Sequence, residues 1–147
     1  MVTLDLSTAG AAHAADRLRS EEMIWITTVR EDGQPQTSAV WFHWDDADFL
    51  LFSQPRAQKV RNLAAEPRVS LNLNGTGYGA DLVIVEGTAE VLPDYASGLW
   101  PEPARIEAYY AKYKTALRET LGSSAAEMAG AFTTALRITP TRWRITP

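Results

Sequence analysis

Residues 24–53 read IWITTVREDGQPQTSAVWFHWDDADFLLFS, and this stretch decides the fold. Ile24-Trp25-Ile26-Thr27-Thr28-Val29 is β-branched and aromatic and apolar on both faces, the pattern of a central strand in a sheet. Glu31-Asp32-Gly33 is a tight turn with glycine where a positive φ is wanted. A second strand over Gln36 to Trp44 follows directly, so the two form an antiparallel hairpin. Asp45-Asp46-Ala47-Asp48 turns the chain again, and Phe49 to Ser53 is a third strand.

Working outward, residues 9–22 read as a short helix, with Ala11, Ala15 and Leu18 on one face. After Pro55 the period again becomes helical, with Val60, Leu63 and Ala64 on one side and Pro67 as the stop. Val69 to Asn74 alternates cleanly as a fourth strand. The loop Gly75-Thr76-Gly77-Tyr78-Gly79 leads to a fifth, Leu82 to Leu92. Ile106, Tyr110, Tyr113, Leu117 and Leu121 mark a helix over Pro101 to Leu121, and Ser124 to Ala131 is a further helical piece. Phe132 to Thr139 and Arg142 to Ile145 read as closing strands separated by Pro140. The expected architecture is α+β, one domain over residues 1–147. It has about six antiparallel strands in sequential order, curled into a small barrel with peripheral helices.

At 147 residues and 16.2 kDa the chain is enough for a core but not for two independent cores, and 46% hydrophobic with 22% charged residues is ordinary for a soluble globular domain. No stretch approaches the roughly 18 uncharged apolar residues a membrane helix needs. The start of the chain, with Asp5 and no basic flank before an apolar run, does not read as a secretory signal. Zero cysteines remove a disulfide framework, a thiolate metal site and a cysteine nucleophile together, and the expected residence is cytoplasmic. A net charge of −4 argues against nucleic acid as a partner.

The chemistry-bearing motifs are few. There is no HExxH and no GxSxG elbow, and His13 and His43 lie far apart, so no metal site is expected. The acids of the 45–48 turn read as solvated, and His43 reads as packing at a strand end. Because a strand follows the glycine loop at 75–79, that loop reads as a connection rather than a phosphate cradle. The informative segment is Ser53-Gln54-Pro55-Arg56-Ala57-Gln58-Lys59-Val60-Arg61-Asn62-Leu63. It sets a hydroxyl at a strand end, then Arg56 and Lys59 three apart at the opening of a helix. Two meanings are open: a solvated basic face, or a site for an anion, which a guanidinium, an ammonium, a hydroxyl and free amides together suit. Just upstream, Thr37-Ser38-Ala39-Val40-Trp41 is a strand of small and polar side chains beside a tryptophan. It is either a platform for a flat heterocycle or a barrel strand with Trp41 in the core.

The run REDGQPQTSAVWFHWDD, then FLLFSQPRAQKVRNLAAEPRVSL, then VIVEGTAEV, resembles the split β-barrel flavin and deazaflavin oxidoreductases, the superfamily of pyridoxamine 5′-phosphate oxidase-like proteins. Within it the likeness is nearest to the branch that uses the deazaflavin coenzyme F-420. It spans nearly the whole chain, and the K-V-R-N-L-x-x-x-P-R-V and V-x-x-E-G-T-A-E segments are its most specific parts. The resemblance implies an FMN-binding split-barrel fold and a homodimer with cofactor sites in clefts between protomers. It implies a phosphate group held by Ser53, Arg56 and Lys59, and a ring lying against Thr37, Ser38, Ala39, Val40 and Trp41. The second strand lacks the basic residues that the oxidase proper turns toward FMN, and RITPTRWRI lacks a clear pyridoxal-phosphate pattern, so F-420 is expected in place of FMN. The implied activity is hydride transfer between reduced F-420 and a small electron-poor organic acceptor. The alternatives are an FMN-dependent oxidase or flavin reductase, and a non-catalytic flavin or deazaflavin carrier. Trp41 and Trp44 are candidate platforms. The proton source is open among water, His43, Tyr78 and the tyrosines of the 101–121 helix.

Overall fold

The computed structural model describes residues 1–95, 102–122 and 125–147. In chain order these form α1 (Ala9–Ser20), β1 (Ile24–Val29), β2 (Pro35–Val40), β3 (His43–Trp44), β4 (Phe49–Ser53), α2 (Gln58–Ala65), β5 (Arg68–Asn72) and β6 (Leu82–Leu92). They continue with α3 (Pro103–Lys112), α4 (Lys114–Ala116), a π-helical turn (Leu117–Leu121), α5 (Ala125–Ala131) and β7 (Thr134–Thr146). The expected helix starts at Pro101 and Ser124, and the side chain of Leu121, lie outside the described residues.

All seven strands share one sheet in the order β2-β1-β5-β6-β7-β4-β3, every pair antiparallel. The β1–β2 hairpin closes through Gly33 at φ 90° and is in register from Ile24 opposite Val40 to Val29 opposite Pro35. β2 and β3 are the two edges of the sheet, yet only Trp41 and Phe42 separate them in sequence. Three trans peptide steps reach at most roughly 11 Å. The sheet must therefore curl until its edges nearly meet, which is the physical content of a split barrel.

Two cores share β4. Inside the barrel, Ile24, Ile26, Phe42, Phe49, Leu51, Leu71, Val85 and Ile138 pack against Ala14, Ala15 and Leu18 of α1. The alanines let α1 sit close over the barrel's end, and Thr8 caps the helix by accepting from the Ala11 amide. Outside it, Leu50, Phe52 and Ala135 pack against Tyr109, Tyr110, Tyr113 and Leu117. The run Phe49-Leu50-Leu51-Phe52 is apolar on both faces because each face belongs to a different core.

Five expectations are corrected. The strand expected over Gln36 to Trp44 breaks at Trp41–Phe42, and its second half pairs with β4 rather than β1. The sheet order is not sequential, since β1 pairs with β5 and β4 with β7. The two closing strands are one, because β6 opposes β7 across a register shift in which Gly87 faces Pro140 and Glu86 faces Arg142. Thr141 is the extra residue of that bulge, which accommodates Pro140 within the strand. The 101–121 helix is interrupted at Tyr113, and on α2 the buried residues are Asn62 and Leu63, with Ala64 exposed.

Candidate functional site

The small and polar strand β2 continues into Trp41 along two adjoining cavities. Ala39, Val40 and Trp41 line one of about 360 Å³, together with Met23, Phe52, Tyr109, Tyr110, Met128 and Phe132. Thr37 and Ser38 line a second, polar one of about 230 Å³, with Thr28, Gln36, Gln58 and Asn62. Lys59 borders both. The larger volume lies in the usual range for small-molecule sites, and an apolar, aromatic lining with few polar groups is their usual character.

Of the three expected anchor residues, Lys59 is the one the structure brings to the cavities. Its ammonium is half-buried, burial holds its pKa below that of an ordinary lysine, and no carboxylate among the described residues pairs with it. Arg56 is exposed in the loop before α2. Ser53, 1% exposed at the end of β4, donates its hydroxyl to the Gln54 carbonyl at 3.0 Å and lines neither cavity. No side chain caps the N-terminus of α2, where Ala57 holds the cap position.

Rings in contact build the wall of the larger cavity. Trp41 stacks on Tyr113 with centroids 4.3 Å apart and planes 3° from parallel. Phe52 meets Tyr109 edge-on at 4.6 Å, and Tyr109 meets Tyr110 the same way at 5.2 Å. Tyr113 also clamps the sheet break. Its hydroxyl accepts from the Phe42 amide at 2.8 Å and donates to the Glu22 carbonyl at 2.5 Å, while Lys112 Nζ donates to the Phe42 carbonyl at 2.9 Å. Tyr110 is 8% exposed, its hydroxyl finds no partner among the described residues, and burial lifts its pKa to about 12. The site therefore presents an unbalanced ammonium and an orphaned phenol. A flat ligand carrying an anionic tail and ring oxygens or nitrogens matches both deficits.

Other expected residues lie elsewhere. Trp44 is a core residue packed on Phe49 and Trp143. His43 accepts at Nδ1 from Arg105 Nε at 3.2 Å, and burial, with the nearby guanidinium, lowers its pKa. Tyr78 is 86% exposed on its loop. The 45–48 turn is solvated at Asp45 and Asp46, as expected, but it is also an ion-pair hub. Asp48 meets buried Arg105 at 2.5 Å and Arg137 at 3.7 Å, and Asp46 meets Arg19 at 3.0 Å. Among the described residues no group of acids or histidines is placed to hold a metal, and no helix is long and apolar enough to cross a membrane. Sequence reasoning missed Met23, Phe52, Met128, Phe132 and Asn62 as site-forming residues. Only the apolar residues carried a signal, and it was indistinguishable from core periodicity.

The fold is a split β-barrel with an aromatic cavity beside its edge strand. The chain matches the pyridoxamine 5′-phosphate oxidase family over residues 11–146 and belongs to that family. Among solved structures, an F-420 reductase is 25% identical, with a TM-score of 0.66 over 88% of this chain and 94% of that one. An FAD-binding protein from Mesorhizobium loti is 23% identical, with a TM-score of 0.66 over 90% and 89%. A haem-storage protein from Vibrio cholerae, 14% identical with a TM-score of 0.71 over 99% and 96%, shares the fold.

Proposed function

We propose that this protein is an oxidoreductase that binds coenzyme F-420 along β2 and uses it to reduce a small electron-poor organic acceptor. The observation that carries the reading is Lys59. It is a half-buried ammonium without a counter-charge where an aromatic cavity meets a polar one, on the strand and helix that the sequence pattern singles out. The likeness to an F-420 reductase and the absence of basic residues between Thr37 and Phe42 favour the deazaflavin over FMN.

In this reading Ala39, Val40 and Trp41 support the ring, and Thr37 and Ser38 offer hydrogen bonds to its polar edge. Lys59 holds the anionic tail, to which Arg56, exposed in the loop before α2, adds positive charge, while Ser53 lies buried at the end of β4 and lines neither cavity. When bound, the deazaflavin supplies hydride chemistry at its ring C5. The chain's own residues orient it, exclude water with the Phe52–Tyr109–Tyr110 wall, and place positive charge near the reacting system. The family likeness supports a homodimer whose second protomer completes each cleft. A haem here would have no histidine ligand, because His13 is paired with Asp81 and His43 with Arg105 and neither lines the cavity.

The test is a fluorescence titration of purified protein with F-420 and with FMN, followed by turnover of reduced F-420 against a panel of quinones and nitroarenes. Tight F-420 binding with acceptor-dependent oxidation supports the reading. Preference for FMN moves the assignment to a flavin enzyme, and tight binding without turnover to a carrier. Light scattering with and without F-420 measures the dimer.

A further inference from the structure

A buried polar hub lies between α2 and the β1–β2 hairpin. Asn62 is 2% exposed, and its Nδ2 donates to Thr28 Oγ1 and to Gln36 Oε1, each at 2.9 Å. Its Oδ1 accepts from Gln58 Nε2 at 2.8 Å. Gln58 Oε1 in turn accepts from the Arg61 guanidinium, whose other nitrogen donates to the Arg56 carbonyl at 2.9 Å. One chain of hydrogen bonds thus runs from both strands of the hairpin, through α2, to the loop that carries Arg56.

Position 62 is on the buried side of α2 beside Leu63, where helical packing alone asks for an apolar residue. A carboxamide there incurs a desolvation cost that only full hydrogen bonding offsets. Leucine would fill the space but leave the helix free to slide, whereas two directional bonds to two different strands fix both its distance and its rotation, with Gln58 one helical turn away orienting the carboxamide that makes them. This matters for Lys59, one turn before Asn62. Among the described residues no hydrogen bond or ion pair holds its ammonium, so its place is the place of the helix. The hub also lines the polar cavity that Lys59 borders, opposite Thr37 and Ser38.

We propose that Asn62 is a positioning residue: its bonds to Thr28 and Gln36, with Gln58 of the same helix orienting its carboxamide, dock α2 on the β1–β2 hairpin so that the Lys59 ammonium stands at the polar cavity where a cofactor's anionic tail binds. The proposal rests on the reading of Lys59 given above. It separates the two ends of the ligand. The ring cavity is walled by Ala39, Trp41, Phe52 and the α3 tyrosines, none of which the hub bonds, and the hub meets the ring only at its Thr37–Ser38 edge, so loss of the hub weakens a phosphorylated ligand more than its phosphate-free counterpart.

The experiment compares FMN with riboflavin, and measures F-420 in parallel, on wild type, Asn62→Leu and the pair Asn62→Leu/Thr28→Val, with thermal melts of each. The double variant replaces the buried polar contact by an apolar one of similar shape, so it folds where the single variant leaves the Thr28 hydroxyl orphaned. The expected result is a preference for FMN over riboflavin that falls about fivefold or more in both variants, equivalent to about one hydrogen bond, with riboflavin affinity changed less. Adding Lys59→Ala to Asn62→Leu should lower FMN affinity little further. A preference that keeps its wild-type value in whichever variant folds, whatever happens to the melting temperature, overturns the proposal. Wild-type protein that binds FMN no better than riboflavin and does not bind F-420 overturns the reading of Lys59 itself, and this proposal with it.

Discussion

Lys59 carries a charge that nothing among the described residues balances, and its chemistry follows from that. Replacing it by alanine should weaken F-420 and FMN about tenfold to a hundredfold, the range for a charge-assisted hydrogen bond, while riboflavin changes little. Titration by fluorescence quenching reads the difference. Burial lowers the pKa of Lys59, so the charged, anion-binding form persists below that lowered value and is lost as pH rises through it. Affinity for an anionic cofactor should therefore decline at lower pH than it would for an exposed lysine. Lys59→Arg should keep binding flat to higher pH. Tyr113 is the second decisive residue. Tyr113→Phe keeps the stack on Trp41 but leaves the Phe42 amide without its acceptor, so urea unfolding should show a loss of about 1–3 kcal/mol. A variant as stable as wild type would mean that water or a shifted backbone replaces the phenol.

At the scale of elements, the β6–β7 ribbon depends on Gly87. A Cβ there would lie 2.8 Å from Ile138 Cγ2 and 2.8 Å from the Thr139 carbonyl, both in the opposing strand of the bulge. Gly87→Ala should force the ribbon apart and cost about 1–3 kcal/mol, seen as a lowered melting temperature. This is the physical reason for the glycine in the V-x-x-E-G-T-A-E segment. The same bulge explains why Pro140, which reads as a strand breaker, sits inside β7. The opposite misreading occurred at Trp41–Phe42, where an unbroken β pattern hides a change of partner. Local alternation stays in phase through the break, because Val40, Phe42 and Trp44 all face the barrel interior.

For the whole molecule, closure of the barrel places Lys112 where Phe42, Tyr113 and the crossover cover it, and burial lowers its pKa to about 8. In the unfolded chain the same group titrates near about 10.4. Between those values the folded state binds fewer protons than the unfolded one, so this group's contribution to stability rises with pH and is complete above the unfolded pKa. Urea midpoints at about pH 8 and about pH 9.5 should show that rise in wild type relative to Lys112→Met, which lacks the titrating group. Equal slopes for both proteins would mean that the ammonium remains effectively hydrated.

What the sequence by itself determined is what short-range pattern records. The strands appear in residues that alternate or stay apolar on both faces, α1 in its alanine stripe, and the hairpin in Gly33. The Arg56–Lys59 segment stands out as basic side chains at a helix opening. Only the tertiary structure decided which strands pair, that Trp41 and Phe42 bridge two sheet edges, that Asp48 is neutralised by Arg105 and Arg137, and that Asn62 is a hub while Ala64 faces water. The reason is physical. Periodicity reports that a side chain is removed from water, but a hydrogen bond or an ion pair depends on distances between residues remote in sequence. Those distances exist only once the sheet has closed.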